Sequence, residues 1–302
     1  MSEILKVNEI LQRIKENSKD FSFRTKLQVI KQTKKYTSDR RPYFSLTFRD
    51  QTGDLPNFNK WTNNEEEYKR EKKTFEIGNI IEFTGRYKAK FGSIDISEPE
   101  NLNKSEFNLD DFSKPTSIDI TSLVKILEGT ILNLQNTDLK TILEVIFSEK
   151  DIKNKYIECP SSVIHHHNYK HGNLEHTVGM INIFDQMVSY YKRNTLLDVD
   201  LIYTGIILHD IGKIFEFELN NDLPMKTVEG KLYGHLILGD QYVSKVIEGI
   251  ENISKDLENK IRHLILSHHG KIEWDSVVEP QFDEAEILHL LDMIDSRFKL
   301  NY

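Results

Sequence analysis

Hydrophobic and polar residues alternate along the first third of the chain. The alternation runs from Phe21 to about Ser97 through three stretches, FSFRTKLQVIKQ, PYFSLTFRDQTGDLPNFNKW and NIIEFTGRYKAKFGSIDIS. A period of two residues bounded by turn residues is typical of β-strands. Residues 50–54 are predicted to form the turn between two long strands, and the charged run 65–73 is predicted to be a helical insert. The pattern therefore predicts a small β-barrel.

The spacing changes to three and four residues in the rest of the chain. This helical spacing recurs in SLVKILEGTILNL, LKTILEVIFS, LEHTVGMINIFDQMVSYY, LIYTGIILHDIGK, HLILGDQYVSKVIEGI, KDLENKIRHLILSHH and DEAEILHLLDMIDSRF. Residues 4–14 have a similar spacing, whereas 101–117 are polar and aperiodic and contain Pro115. We therefore predict an N-terminal helix (1–20), a strand domain (21–100), a linker (101–117) and an all-α domain (118–302).

Composition is that of an ordinary globular protein long enough for two domains. The 302 residues are 38% hydrophobic and 29% charged. The longest apolar run, LIYTGIIL, is too short to span a membrane. One cysteine, Cys159, excludes an internal disulfide, and no secretory signal pattern opens the chain, so the expected location is the cytoplasm.

Charge is divided unevenly between the two parts. The first 100 residues carry 20 Lys and Arg against 16 Asp and Glu, and the rest carry 20 against 32. A mildly basic strand domain is compatible with a polyanionic ligand, and an acidic helical domain is compatible with carboxylates that bind metal ions.

Metal-ligand residue types recur on successive predicted helices. They are His176, His209, Asp210, His235, His268, His269 and Asp292. His209 and Asp210 end a strongly apolar helix, where polar side chains incur a desolvation cost unless they are paired or metal-bound. Adjacent helical positions diverge by about 100°. His209 can therefore face one ion while Asp210 bridges two, which favours a binuclear site.

The mixture of imidazole and carboxylate indicates which metal ions to expect. It suits Mn²⁺, Fe²⁺, Co²⁺, Ni²⁺ or Zn²⁺ better than Mg²⁺ alone, because Mg²⁺ prefers oxygen ligands and water. We expect two divalent ions, with manganese the first choice. Lys213 lies one turn after His209 and is either a group that neutralises a phosphate oxygen or a solvated lysine near a helix end.

The ordered set His, His-Asp, His, His-His, Asp resembles the HD superfamily of metal-dependent phosphohydrolases over about residues 160 to 300. The segment HHNYKHGNLEHT at 166–177 and AEILHLLDMIDSR at 285–297 resemble the YhaM family of 3'-to-5' exoribonucleases, which joins an N-terminal OB-fold to a C-terminal HD domain. The strand order of the first domain also looks like an OB-fold. This sequence departs from the family's pattern at His171 and Asn173, where glycine and leucine are expected.

The resemblance implies roles for individual residues. One ion is expected on His176, His209, Asp210 and Asp292, and the second on His235, His268 and His269, with Asp210 shared. His166 and His167 would contact the substrate. In the implied mechanism, two ions bind the scissile phosphate, activate a water and stabilise the leaving oxygen, with Asp210 and Lys213 as the candidate catalytic residues.

Single-stranded nucleic acid is the usual ligand of an OB-fold, bound by aromatic stacking in a basic groove. Candidate contacts are Tyr43, Trp61, Tyr87, Phe91 and Arg41, although about half of the aromatics of a barrel point inward. Phe44 and Phe48 are expected on the face opposite to Tyr43.

Three functions remain open from the sequence. The first is an exoribonuclease that releases nucleoside monophosphates from single-stranded RNA and also acts on single-stranded DNA. The second is an HD phosphohydrolase or phosphodiesterase of small or signalling nucleotides, for which a substrate-binding barrel would be superfluous. The third is a catalytically inactive nucleic-acid-binding regulator. No membrane partner is expected, and a homo-oligomer is compatible with apolar helix faces.

Overall fold

A computed structural model describes residues 4–16, 19–112, 119–161, 170–191 and 197–297, with side chains given up to 188 in the fourth range. The chain forms two compact units. The sheet unit comprises Met1–Ser117 and Leu219–Leu223, and the helical unit comprises Ile118–Glu218 and Pro224–Tyr302.

Five strands make up the sheet unit. They are β1 (Phe21–Tyr36), β2 (Pro42–Asp50), β3 (Gly53–Trp61), β4 (Ile80–Lys88) and β5 (Ser93–Asn101). They pair in the closed order β1-β2-β3-β5-β4, in which β3 and β5 run parallel and the other pairs antiparallel. The predicted alternation is confirmed on β2, where Phe44 and Phe48 are fully buried and Tyr43 lies on the other face.

Two helices accompany the sheet. Helix α1 (Val7–Glu16) buries Val7 and Ile10 in the core of the sheet unit, and Asp50 Oδ2 accepts a hydrogen bond from Val7 N at 2.8 Å. Helix α2 (Glu65–Glu71) is the predicted insert; the Asn64 side chain caps its first turn, and Tyr68 stacks on Phe44.

The helical unit packs its helices around one hydrophobic core. They are α3 (Ile120–Asn133), α4 (Thr137–Ser148), α5 (Lys150–Glu158), α6 (Gly172–Tyr191), α7 (Val199–Leu208), α8 (Lys213–Glu216), α9 (Val228–Glu248), α10 (Lys255–Ser267) and α11 (Asp283–Arg297). Helices are confirmed in all seven predicted segments, but the helix in the segment LIYTGIILHDIGK extends only as far as Leu208, and α5 and α8 are additional helices. Among the described residues, no helix is both long and apolar enough to cross a membrane.

The prediction of an all-α second domain is wrong at one place, because a β-hairpin interrupts the helices. Strand β6 (Phe217–Asn220) pairs with β7 (Leu223–Lys226). The two turn residues, Asn221 and Asp222, both have positive φ, at 47° and 60°. Asn and Asp tolerate this conformation, which is typical of two-residue hairpin turns. The spacing of apolar residues does not reveal the preference of Asn and Asp for this backbone conformation.

Candidate metal centre

Helix α7 delivers two polar side chains into the core of the helical unit. All residues from Leu201 to Leu208 except Tyr203 are buried, and His209 caps the C-terminus of the helix. His209 and Asp210 are themselves buried, at 0% and 3% exposure. Lys213 Nζ lies 2.5 Å from Asp210 Oδ2 and 3.5 Å from Ser161 Oγ, so the lysine is bound within this cluster and is not a solvated side chain.

One set of ligand atoms lies on the Oδ2 side of Asp210. His176 Nε2 is 3.3 Å from His209 Nε2 and 3.2 Å from Asp292 Oδ1. Asp210 Oδ2 is 3.2 Å from His209 Nε2 and 4.0 Å from His176 Nε2. Helices α6, α7 and α11 thus bring His176, His209 and Asp292 to within the reach of one metal ion.

The second set lies on the Oδ1 side of the same carboxylate. Asp210 Oδ1 is 3.4 Å from His235 Nε2 and 3.7 Å from His268 Nε2. His235, His268 and His269 offer ligand atoms within 4.8 Å of one another. Each oxygen of Asp210 therefore faces a different group of imidazoles.

Hydrogen bonds at the opposite nitrogen orient four of these imidazoles. His209 Nδ1 and His268 Nδ1 donate to backbone carbonyls three residues earlier, each at 2.8 Å. His176 Nδ1 donates to Asp295 Oδ2 at 2.7 Å, and His235 Nδ1 lies 3.1 Å from Glu216 Oε2. A proton held on Nδ1 leaves the Nε2 lone pair of a neutral imidazole available to a metal ion.

Three supporting residues were missed as site residues in the sequence. Asp295 lies one turn after Asp292, and this spacing in LLDMID was the one usable signal. Glu216 sits in the short FEFE run, which carries no metal-site pattern. His289 lies on a helix body without a metal-site motif, but its Nδ1 donates to the backbone oxygen of His268 at 2.8 Å and so supports the turn that carries two candidate ligands.

Burial and neighbouring charges act against each other at Asp210, Asp292 and His176. Burial would raise the pKa of Asp210, but the neighbouring Lys213 and His209 hold it below its usual range. Burial would likewise raise the pKa of Asp292, but the hydrogen bond with His176 holds it below its usual range. Burial would lower the pKa of His176, but hydrogen bonds to Asp292 and Asp295 raise it to about 10. Burial lowers the pKa of His268 and His269. These shifts favour charged carboxylates at Asp210 and Asp292 and a protonated His176 before an ion binds, and they favour neutral rings at His268 and His269.

Three buried atoms indicate that this arrangement fits cations. Within the described ranges, Asp210 Oδ1, His235 Nε2 and His269 Nδ1 are buried and have no hydrogen-bond partner. Buried polar groups are otherwise almost always paired. All three belong to the Oδ1 side of the centre, where lone pairs converge and divalent cations accepted by imidazole and carboxylate ligands would satisfy them.

The aromatic residues predicted to contact nucleic acid lie on the sheet unit at different depths. Trp61 is 45% exposed and packs against Tyr43 with ring centroids 4.5 Å apart, and its Nε1 donates to Asp95 Oδ1 at 2.8 Å. Phe91 is 73% exposed. Tyr87, by contrast, lies in the core against Phe21, because its position on β4 points inward.

The other residues predicted to contact the substrate are one arginine and two histidines. Arg41 is exposed at the β1–β2 turn and pairs with Asp39 at 2.7 Å. His166 and His167 lie outside the described residues. Cys159 is buried, and burial raises the pKa of its thiol, which agrees with a structural role.

Comparison with known proteins identifies a matching family and several similar proteins. Residues 173–297 match the family described as HD domain. A 3'-5' exoribonuclease YhaM of Bacillus subtilis is 31% identical over 89% of this chain and 82% of its own. The protein of the same name from Bacillus pumilus is 30% identical over 89% of this chain and 82% of its own. The one from Oceanobacillus iheyensis is 29% identical over 91% of this chain and 84% of its own. No solved structure gives a significant match.

Proposed function

The chain belongs to the YhaM family of 3'-5' exoribonucleases, and we propose that it is a metal-dependent enzyme that hydrolyses single-stranded RNA from the 3' end to nucleoside monophosphates. One observation carries the chemical part of this proposal: the buried carboxylate of Asp210 has one oxygen facing His176 and His209 and the other facing His235 and His268. Such an arrangement suits two cations that share one bridging ligand.

The proposed ligand sets follow the two sides of this carboxylate. His176, His209 and Asp292 would hold one ion, His235, His268 and His269 the other, and Asp210 both. The mixed nitrogen and oxygen donors support Mn²⁺ as the first ion to test, with Co²⁺, Fe²⁺, Ni²⁺ and Zn²⁺ as further candidates. When bound, such ions would lower the pKa of a water and stabilise negative charge on the phosphate.

The protein's own groups have separate tasks in this proposal. Asp210 orders the two imidazole groups around one centre. Lys213, whose side chain is 12% exposed and held beside Asp210, would supply a positive charge for a phosphate oxygen. Lys213 Nζ binds Asp210 Oδ2 at 2.5 Å, so this contact would have to open before the lysine could bind a phosphate oxygen.

We propose that the sheet unit is an OB-fold that binds the single strand. The closed strand order and the tilted ring pair of Tyr43 and the exposed Trp61 support this role. Phe91 and Arg41 are further candidate contacts, and the position of Tyr87 in the core excludes it from the proposed stacking surface. The lone buried cysteine is compatible with the proposed cytoplasmic location.

The deciding experiment is product analysis of a 5'-labelled single-stranded RNA incubated with the purified protein and Mn²⁺. We expect a ladder that shortens from the 3' end and releases mononucleotides. Asp210→Asn should abolish it. Asp240→Asn is the matched control, since Asp240 is also buried in the helical unit but pairs with Arg262.

Other outcomes distinguish the alternatives. A single-stranded DNA of the same sequence tests the wider substrate range, and a 3'-phosphate-blocked RNA tests the direction. RNA that stays intact with every metal, together with hydrolysis of small nucleotides, would assign the second function. RNA binding without any product would support the third function, a catalytically inactive nucleic-acid-binding regulator.

A further inference from the structure

Glu216 is a buried carboxylate that lies between a candidate metal ligand and a lysine. It is 2% exposed at the end of α8. Its Oε2 lies 3.1 Å from His235 Nδ1, and its Oε1 accepts a hydrogen bond from Lys226 Nζ at 2.6 Å. Both oxygens of the carboxylate are therefore bound, one to the site and one to the end of strand β7.

Neighbouring backbone segments hold the backbone of Glu216 in place. Its carbonyl oxygen accepts a hydrogen bond from Thr227 N at 2.9 Å. A Cβ atom on Gly230 would stand 2.3 Å from the same oxygen, so the first turn of α9 packs directly on Glu216. Neither contact involves a metal ion, so the fold itself fixes the backbone that carries this carboxylate.

His235 lies between this carboxylate and Asp210. It follows Gly234, whose φ of 71° interrupts the regular geometry of α9. Its Nε2 is buried without a hydrogen-bond partner in the described parts of the chain and faces Asp210 Oδ1 at 3.4 Å. A proton on Nδ1, donated to Glu216, leaves two lone pairs facing each other, an arrangement that is stable with a cation between them.

We propose that Glu216 is a positioning residue for the ion on the Oδ1 side of Asp210: it holds His235 with its proton on Nδ1 and its Nε2 lone pair directed at the ion, and Lys226 holds Glu216 in turn. The inference rests on the proposed function only in taking His235 as a metal ligand.

A purely structural role for the Lys226–Glu216–His235 chain makes a different prediction. Removing one partner of a buried ion pair would then lower stability and leave metal binding by the folded protein unchanged. A positioning role instead predicts a loss at one of two ions. Changes to hydrogen-bond partners of metal ligands typically cost about 10- to 100-fold in metal affinity.

The first test is titration of the metal-free full-length protein with Mn²⁺ by calorimetry, with free Mn²⁺ followed by electron paramagnetic resonance. Glu216→Gln should weaken one of the two ions by about 10- to 100-fold and leave the other unchanged. Glu258→Gln is the matched control, because Glu258 is also buried in the helical unit and pairs with Lys255 and Arg262. Wild-type affinity for both ions in folded Glu216→Gln would overturn the proposal, as would an equal loss in Glu258→Gln.

A second measurement needs no folded Glu216 variant. Long-range ¹H–¹⁵N spectra of ¹⁵N-histidine-labelled, metal-free wild-type protein at pH 8 report the tautomer of each ring, and subtraction of the His235→Gln spectrum assigns the signals. We expect the His235 proton on Nδ1, and a proton on Nε2 would overturn the proposal. Neither measurement uses RNA, so failure of the proposed exoribonuclease activity would be recognised separately in the product assay.

Discussion

Gly179 on α6 leaves the space that Asp295 on α11 occupies. A Cβ atom at Gly179 would stand 2.2 Å from Asp295 Oδ1 and 3.1 Å from its Cγ. Asp295 Oδ2 is 2.7 Å from His176 Nδ1. The orientation of a candidate metal ligand therefore depends on the absence of a side chain one turn further along its own helix.

Gly179→Ala should weaken metal binding on the Oδ2 side of Asp210. The short Asp295 side chain must move by more than 1 Å to accommodate the methyl group, which breaks its bond to His176, and we expect a loss of about 10- to 100-fold in Mn²⁺ affinity and in RNA hydrolysis. Calorimetry and the product assay measure these two quantities.

The control for this prediction is Gly129→Ala on α3. A Cβ there meets nothing within 4 Å, so the change should stabilise the protein by about 0.5–1 kcal/mol through helix propensity and leave Mn²⁺ binding unchanged. Equal Mn²⁺ affinities in Gly179→Ala and Gly129→Ala would show that Asp295 does not orient His176.

Removing metal should lower the stability of the helical unit. An ion that binds only the folded state at 100 times its Kd adds about 2.7 kcal/mol to the free energy of unfolding. Thermal unfolding with Mn²⁺ and with a chelator should therefore give clearly different Tm values for the wild type. In Asp210→Asn the difference should largely disappear, because both proposed ion sets lose their shared ligand, whereas Asp240→Asn should retain it.

Asn173→Leu should raise stability. Asn173 is fully buried, and neither its Oδ1 nor its Nδ2 has a hydrogen-bond partner in the described chain. An unsatisfied buried amide costs about 1–3 kcal/mol, and leucine has a similar volume without polar atoms. Urea unfolding in the presence of a chelator should show a gain of about 1 kcal/mol or more.

A second asparagine provides the contrast. Asn136 caps α4 by accepting hydrogen bonds from Asp138 N and Leu139 N. Asn136→Leu should therefore lose about 1 kcal/mol. A loss of stability in Asn173→Leu would mean that the Asn173 amide is hydrogen-bonded after all.

His263 should make stability depend on pH. Burial lowers its pKa, and its Nε2 accepts a hydrogen bond from Gln281 N at 3.1 Å, which requires the neutral ring. The unfolded state, with a pKa of about 6.5, takes up a proton before the folded state does. Stability should therefore fall as the pH drops from about 6.5 towards the lowered pKa of the folded state, and change no further below it.

His263→Gln isolates this contribution because an amide oxygen can still accept from Gln281 N. Urea unfolding at several pH values between about 7.5 and 5, with a chelator present, should show a shallower decline for the variant than for the wild type. Parallel curves would mean that His263 titrates equally in both states.

Much of this protein follows from its sequence. A period of two residues fixed the strands, and a period of three to four fixed the helices, because each spacing places apolar side chains on one face of the element. The HD resemblance likewise selected His176, His209, Asp210, His235, His268, His269 and Asp292, which the fold gathers around a single carboxylate.

Only the tertiary structure decided how these ligands are held. Glu216 contacts His235, and Asp295 contacts His176, only because the helices that carry them pack together. His176 and Asp295 are 119 positions apart, so the spacing of neighbouring residues cannot predict their contact. The hairpin turn at Asn221 and Asp222 was missed because the spacing of apolar residues carries no information about backbone φ angles. Tyr87 and Trp61 look alike as aromatic residues in strands, but the register places one in the core and the other at the surface.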